Sequence, residues 1–105
     1  MNGATAVAGS APAYFYAFVE ALESAGAANG LPLQTARTLA RATVIGAAAL
    51  MEETGADPAH LRAQVTSPGG TTEAALRVLS RDGALEALIA EAVAAAVRRA
   101  GELAG

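Results

Sequence analysis

The hydrophobic positions along the chain recur at three and four residues wherever they recur at all, and no stretch alternates with a period of two. Tyr14, Phe15, Phe18, Val19, Leu22, Ala25 and Gly26 lie at helical spacing, and so do Leu85, Leu88, Ile89, Ala92, Val93, Ala96, Val97 and Ala100. Boundary residues divide the pattern into five predicted helices. The first runs over residues 11–28, with Ser10 as N-cap, Pro12 in its first turn and Asn29-Gly30 closing it. The second opens after Leu31-Pro32, runs over 33–54 and ends at Gly55. Its stretch from Ala42 to Met51 is apolar nearly all round, as in a helix buried on most sides. Asp57-Pro58 starts a short third helix to Val65, and a fourth covers 71–81, with Ala75, Leu76 and Leu79 inward. The fifth covers 84–104 after Asp82-Gly83, with Glu86 and Glu91 early and Arg98 and Arg99 late, the order the helix dipole favours. Residues 1–9 read as an extended or looped lead. The expected fold is therefore all-α, a five-helix single domain over residues 1–105.

Composition adds a partner to this picture. Hydrophobic residues make up 53% of the chain, but much of that is alanine, and there are only two Tyr and two Phe. Alanine buries little area, so a lone chain of 105 residues has a thin core. The prediction is closely packed helices buried against a second chain in an obligate dimer, with the apolar second helix at the centre of a bundle or of that dimer and the aromatics of the first helix in core or interface. An aromatic ligand box is the alternative use of those rings. The run Ala42–Met51 is too short to span a membrane.

Charge and residue types exclude several function classes. The net charge is -3 and the seven basic residues are dispersed arginines, so no basic patch is offered to nucleic acid. With no lysine there is no Schiff-base chemistry; with no cysteine there is no thiol nucleophile, disulfide frame or zinc-thiolate site, which fits a cytoplasmic protein. His60 is the only histidine, without a partner set for metal binding or a Ser-His-Asp triad, and no metal site is expected. Glu52 and Glu53 are adjacent and cannot both point inward from one helix.

One stretch departs from packing material: Val65-Thr66-Ser67-Pro68-Gly69-Gly70-Thr71-Thr72-Glu73. Pro68 ends the incoming helix near Thr66, since proline disfavours helix for the residue before it. Gly69 and Gly70 can take positive φ and admit close backbone approach. The next helix starts at Gly70 or Thr71, so the N–H groups of Gly70, Thr71, Thr72 and Glu73 are expected to lack helical partners and to point outward, a seat for a carboxylate or phosphate. The two threonine hydroxyls add directed hydrogen bonds. The same residues also suit a plain turn followed by a capped helix. The segment is not a P-loop, because no Lys-Ser/Thr follows Gly70.

The motifs together carry a resemblance. Gly9-Ser10-Ala11-Pro12-Ala13-Tyr14, Leu31-Pro32, Val44-Ile45-Gly46-Ala47-Ala48, Asp57-Pro58-Ala59-His60-Leu61-Arg62, Gln64 to Thr72 and Leu76-Arg77-Val78-Leu79 follow in that order. In order and spacing the chain resembles the C-terminal dimerisation domain of pyrroline-5-carboxylate reductase, from about Thr5 onward. That family reduces 1-pyrroline-5-carboxylate to L-proline with NADP or NAD as cofactor. The resemblance implies an all-α domain that forms an intertwined helical homodimer, alone or within a larger ring, and an active site where this domain meets a Rossmann domain. It implies that the backbone of Gly70, Thr71 and Thr72 holds the substrate carboxylate, and that the Thr72 hydroxyl, in a catalytic role, bonds the ring nitrogen. It also implies that Ser67 lines the pocket, and that Ser10, Ala11 and Pro12 lie on the nicotinamide side. Residues 1–9 would be a lead from the Rossmann domain.

Two departures qualify what the resemblance implies. Ala11 stands where the family motif has glycine, and its methyl either crowds the nicotinamide side or is tolerated. No glycine-rich fingerprint follows a strand, so this chain alone is expected to bind no dinucleotide and to be inactive. The alternatives are a non-enzymatic helical dimerisation module derived from that fold and, ranked last for want of a lysine, a helical domain from another dehydrogenase.

Overall fold

The computed structural model describes residues 2–104; Met1 of the lead segment and Gly105 lie outside. Among the described residues every regular element is helical, and there is no strand. The elements are α1 (Asn2–Ala4), a π-helix (Thr5–Ser10), α2 (Ala11–Ala28), α3 (Leu33–Thr54), α4 (Pro58–Gln64), α5 (Thr71–Leu79), a 3-10 turn (Arg81–Gly83) and α6 (Ala84–Ala104). The all-α expectation holds, but α2, α3, α5 and α6 make four helices where five were expected, because the segment between Asp57-Pro58 and Pro68 leaves α4 only a short piece of 7 residues. The chain forms two compact units, one of residues 1–11 with 59–105 and one of residues 12–58.

In the second unit, α2 and α3 meet near their connection. The chain turns at Gly30, whose φ of 105 is open only to glycine at low cost. Gly26 lets Ala36 and Leu31 come close: a Cβ built on Gly26 would lie 3.3 Å from the Ala36 Cβ and 3.4 Å from Leu31 Cδ1. Arg41 Nε donates to Glu23 Oε2 at 3.0 Å across the pair. Only Ala36 and Ala40 are buried here, on the α3 face toward that contact. Phe15, Tyr16, Phe18, Ile45, Leu50 and Met51 are all exposed. The aromatic row of α2 is thus not a core within one chain. α3 ends as its sequence predicts, with Gly55 in the left-handed region (φ 64) donating to Met51 O at 3.0 Å. A Cβ at Gly55 meets nothing within 4 Å. Gly55→Ala is therefore expected to cost about 1 kcal/mol by backbone strain alone, read as a lower denaturation midpoint with unchanged slope.

In the first unit, the expectation for the lead is overturned. Residues 2–10 are helical, not extended, and both α1 and the π-helix pack against α6. Ala6 is buried to 1% exposure, while Ala92, Val93, Ala96, Val97 and Ala100 of α6 are half-buried. Gly3 and Gly9 each disfavour helix by about 1 kcal/mol, and the apolar stripe of α6 supplies the burial that offsets them. Ser10 is not an N-cap either: the backbone is already helical before it, and its hydroxyl donates back to the Ala6 carbonyl. Where α4 ends, Val65 and Thr66 N–H bond to Arg62 and Ala63 O, tightening the last turn. α5 stops at Leu79, two residues short of the predicted Arg81. Asp82 (φ 54) and Gly83 (φ 68) are both left-handed, which breaks the helix into a 3-10 turn before α6. Of the three α5 residues expected inward, Leu76 is half-buried, and Ala75 and Leu79 are exposed.

Candidate functional site

The turn from Ser67 to Thr72 joins α4 to α5, and its backbone path follows from its two glycines in different ways. Gly69 is left-handed, with φ 73. Gly70 is extended (φ -90, ψ -177), so it needs glycine for space and not for its dihedral. A Cβ on Gly70 would lie 3.2 Å from the Ser67 carbonyl oxygen, tighter than ordinary contact. That carbonyl accepts the Gly70 N–H at 3.0 Å, closing a tight turn around Pro68 and Gly69. Gly70 is the N-cap of α5, and its own carbonyl accepts the first helical bond, from Ala74 N–H at 3.2 Å.

This geometry revises the expected set of free donors. The Gly70 N–H, expected to point outward, is held by Ser67. The groups left without a helical acceptor are those of Thr71, Thr72 and Glu73, at the positive end of a nine-residue helix. Thr71 is exposed and Thr72 half-buried. Ser67 is exposed beside them. The turn thus gathers Ser67, Gly70, Thr71 and Thr72 into one patch of polar groups. It can accept a carboxylate on two adjacent N–H groups with a hydroxyl at hand. In this chain the patch is open to water, and a second wall is needed to desolvate whatever binds there.

A feature not singled out in the sequence also shapes the turn. The Glu73 carboxylate folds back so that the Gly69 N–H donates to its Oε1 at 3.3 Å, and Arg77 Nη2 donates to the same oxygen at 2.9 Å. A glutamate three residues after the N-cap, with an arginine four residues further on, is a legible signal for both contacts. Beside the turn, Arg62, Thr66, Glu73, Leu76, Arg77 and Glu86 line a shallow groove.

The other predicted positions are residues 10–12. Ser10 and Ala11 are half-buried in the same unit as the turn, and Pro12 is exposed in the other. With no strand among the described residues, there is no strand–glycine-turn–helix unit to cradle a dinucleotide pyrophosphate. His60 is exposed, with its Nε2 3.1 Å from Gln64 Nε2. Among the described residues no helix is long and apolar enough to cross a membrane.

Known proteins share this fold and sequence. The family model for pyrroline-5-carboxylate reductase dimerisation matches residues 1–103. A pyrroline-5-carboxylate reductase of Synechocystis is 48% identical over 103 residues, which is 98% of this chain and 38% of that protein. The solved structure of a pyrroline-5-carboxylate reductase from Coxiella burnetii superposes with a TM-score of 0.91 at 46% identity, over 97% of this chain and 37% of that one. The Plasmodium falciparum pyrroline carboxylate reductase with NADP bound matches with a TM-score of 0.87 at 32% identity, over 94% of this chain and 37% of that one. This chain therefore spans a little over a third of the length of the relatives it matches. On the match of nearly its whole length, the chain belongs to the pyrroline-5-carboxylate reductase dimerisation family.

Proposed function

We propose that this chain is the dimerisation and substrate-binding part of an enzyme that reduces 1-pyrroline-5-carboxylate to L-proline with NADPH or NADH, working as a single domain beside a Rossmann domain in the cytoplasm. The observation that carries the reading is the turn at residues 67–72, with the N–H groups of Thr71 and Thr72 open at the start of α5. They would hold the substrate carboxylate, with Gly70 providing the close approach and Ser67 the flank. The Thr72 hydroxyl would bond the ring nitrogen and fix which face of the ring meets the cofactor. The nicotinamide supplies the hydride when bound. Ser10, Ala11 and Pro12 would approach it from this chain, and the Rossmann domain would provide the missing wall.

The dimer rests on unmet burial. Only Ala6, Ala36 and Ala40 are buried apolar residues among those described. Two copies, or pairs of copies in a larger ring, would cover the aromatic face of α2 and the all-round apolar α3.

An L-proline titration of the isotope-labelled chain, followed by amide NMR, tests the site. The amides of Thr71 and Thr72 are expected to shift in a saturable way. In Thr72→Ala the affinity is expected to fall about tenfold, by loss of a hydrogen bond to a charged ring nitrogen. A titration that moves no amide in residues 67–73 would favour a helical dimerisation module without the chemistry, for which Ala11 in place of the family's glycine is the supporting observation.

A further inference from the structure

We propose that Glu73 is a positioning residue for this carboxylate site, and that the site tolerates it because Arg77 neutralises it. The inference rests on the reading of the turn as a carboxylate seat. In a capping box the glutamate three residues after the N-cap reaches back to the N-cap N–H. Here Gly70 is the N-cap, but its N–H is already donated to Ser67 O at 3.0 Å. The Glu73 carboxylate instead accepts the N–H one residue earlier, that of Gly69, at 3.3 Å. The two bonds tie Gly69 and Gly70 in sequence and hold Gly69 in its left-handed conformation. They remove two donors from the turn and leave those of Thr71 and Thr72 for a ligand.

This arrangement places a carboxylate beside a seat for another carboxylate, and like charges at that range oppose binding. Arg77 Nη2 lies 2.9 Å from the same Glu73 oxygen that holds Gly69. The pair is thus near neutral as seen from the turn. Arg77 is otherwise open to solvent, with its side chain 76% exposed, so the ion pair adds little to folding. Arg77→Ala should move binding and leave the unfolding midpoint alone, which a merely structural role would not do.

The test uses Glu73→Ala, Glu73→Gln and Arg77→Ala in the full chain, with two readouts. Without ligand, the Gly69 amide is expected to exchange with solvent at least about threefold faster in Glu73→Ala and at the original rate in Glu73→Gln, whose amide oxygen still accepts. On titration, L-proline is expected to bind about threefold more weakly in Glu73→Ala and in Arg77→Ala, and at least as tightly as the original in Glu73→Gln. Unchanged Gly69 exchange in Glu73→Ala, with L-proline still shifting Thr71 and Thr72, overturns the positioning role alone. If L-proline shifts neither amide in the unaltered chain, the reading of the site fails and this proposal fails with it.

Discussion

Ile45→Glu is expected to abolish the dimer. Ile45 lies midway along α3 and is 69% exposed in one chain, on the stretch from Ala42 to Met51 that carries no charge. If that stretch faces a second copy, glutamate brings an ionised group into an apolar contact with no cation to pair it. An unpaired buried charge costs several kcal/mol, and the symmetry of a dimer brings in two. Even about 3 kcal/mol raises the dissociation constant by more than a hundredfold. Because little apolar surface is buried within one chain, dissociation should be accompanied by loss of helix. Analytical ultracentrifugation with far-UV circular dichroism across a dilution series reads both, and Ile45→Leu should behave as the original chain. If Ile45 instead faces water, the glutamate should change stability by no more than about 0.5 kcal/mol. An Ile45→Glu chain with the same dimer affinity would remove the proposed interface from α3.

The second large effect is expected at Gly26. Glycine inside a helix ordinarily costs about 1 kcal/mol relative to alanine, so replacing it in an open helix would stabilise the chain. Gly26 is not open. An added Cβ already stands 3.3 Å from the Ala36 Cβ and 3.4 Å from Leu31 Cδ1. The Gly26 carbonyl also accepts the Leu31 N–H at 3.1 Å, which shapes the turn into α3. Gly26→Leu must push α2 from α3 at the point where they touch, next to the buried Ala36. Overpacking of this kind costs about 1–3 kcal/mol. It should appear as a lower melting temperature and as weakened protection of the Leu31 amide. Gly26→Ala should show no gain despite its better helix propensity. A Gly26→Leu chain as stable as the original would mean that this contact does not hold the hairpin.

The boundaries of the long helices were legible because they depend on neighbours in sequence. Leu33–Thr54 and Ala84–Ala104 begin and end where the pattern predicted, since Gly55 and the Asp82-Gly83 pair adopt conformations that few other residues accept. The turn at residues 67–72 was legible for the same reason, together with the glycine, proline and threonine types that set it. The N–H count at the site was not. Whether Gly70 donates outward or to Ser67 depends on the path of four residues at once, and the bond from Glu73 to Gly69 follows only after Gly70 is taken.

By itself, then, the sequence determined the helical class, the limits of the long helices, the thin alanine core and the place of the glycine-threonine turn, all set by local propensity and spacing. Only the tertiary structure decided the rest. Residues 2–10 are helical because α6 offers an apolar stripe on which Ala6 is buried, a contact between ends of the chain that no local pattern encodes. Ser10 lies inside that helical run, where its hydroxyl turns back to Ala6 instead of capping a helix start. Phe15 and Phe18 of α2, at core spacing in the sequence, are left exposed because α3 touches α2 on the Gly26–Ala36 side, where small residues permit the close approach that rings would prevent.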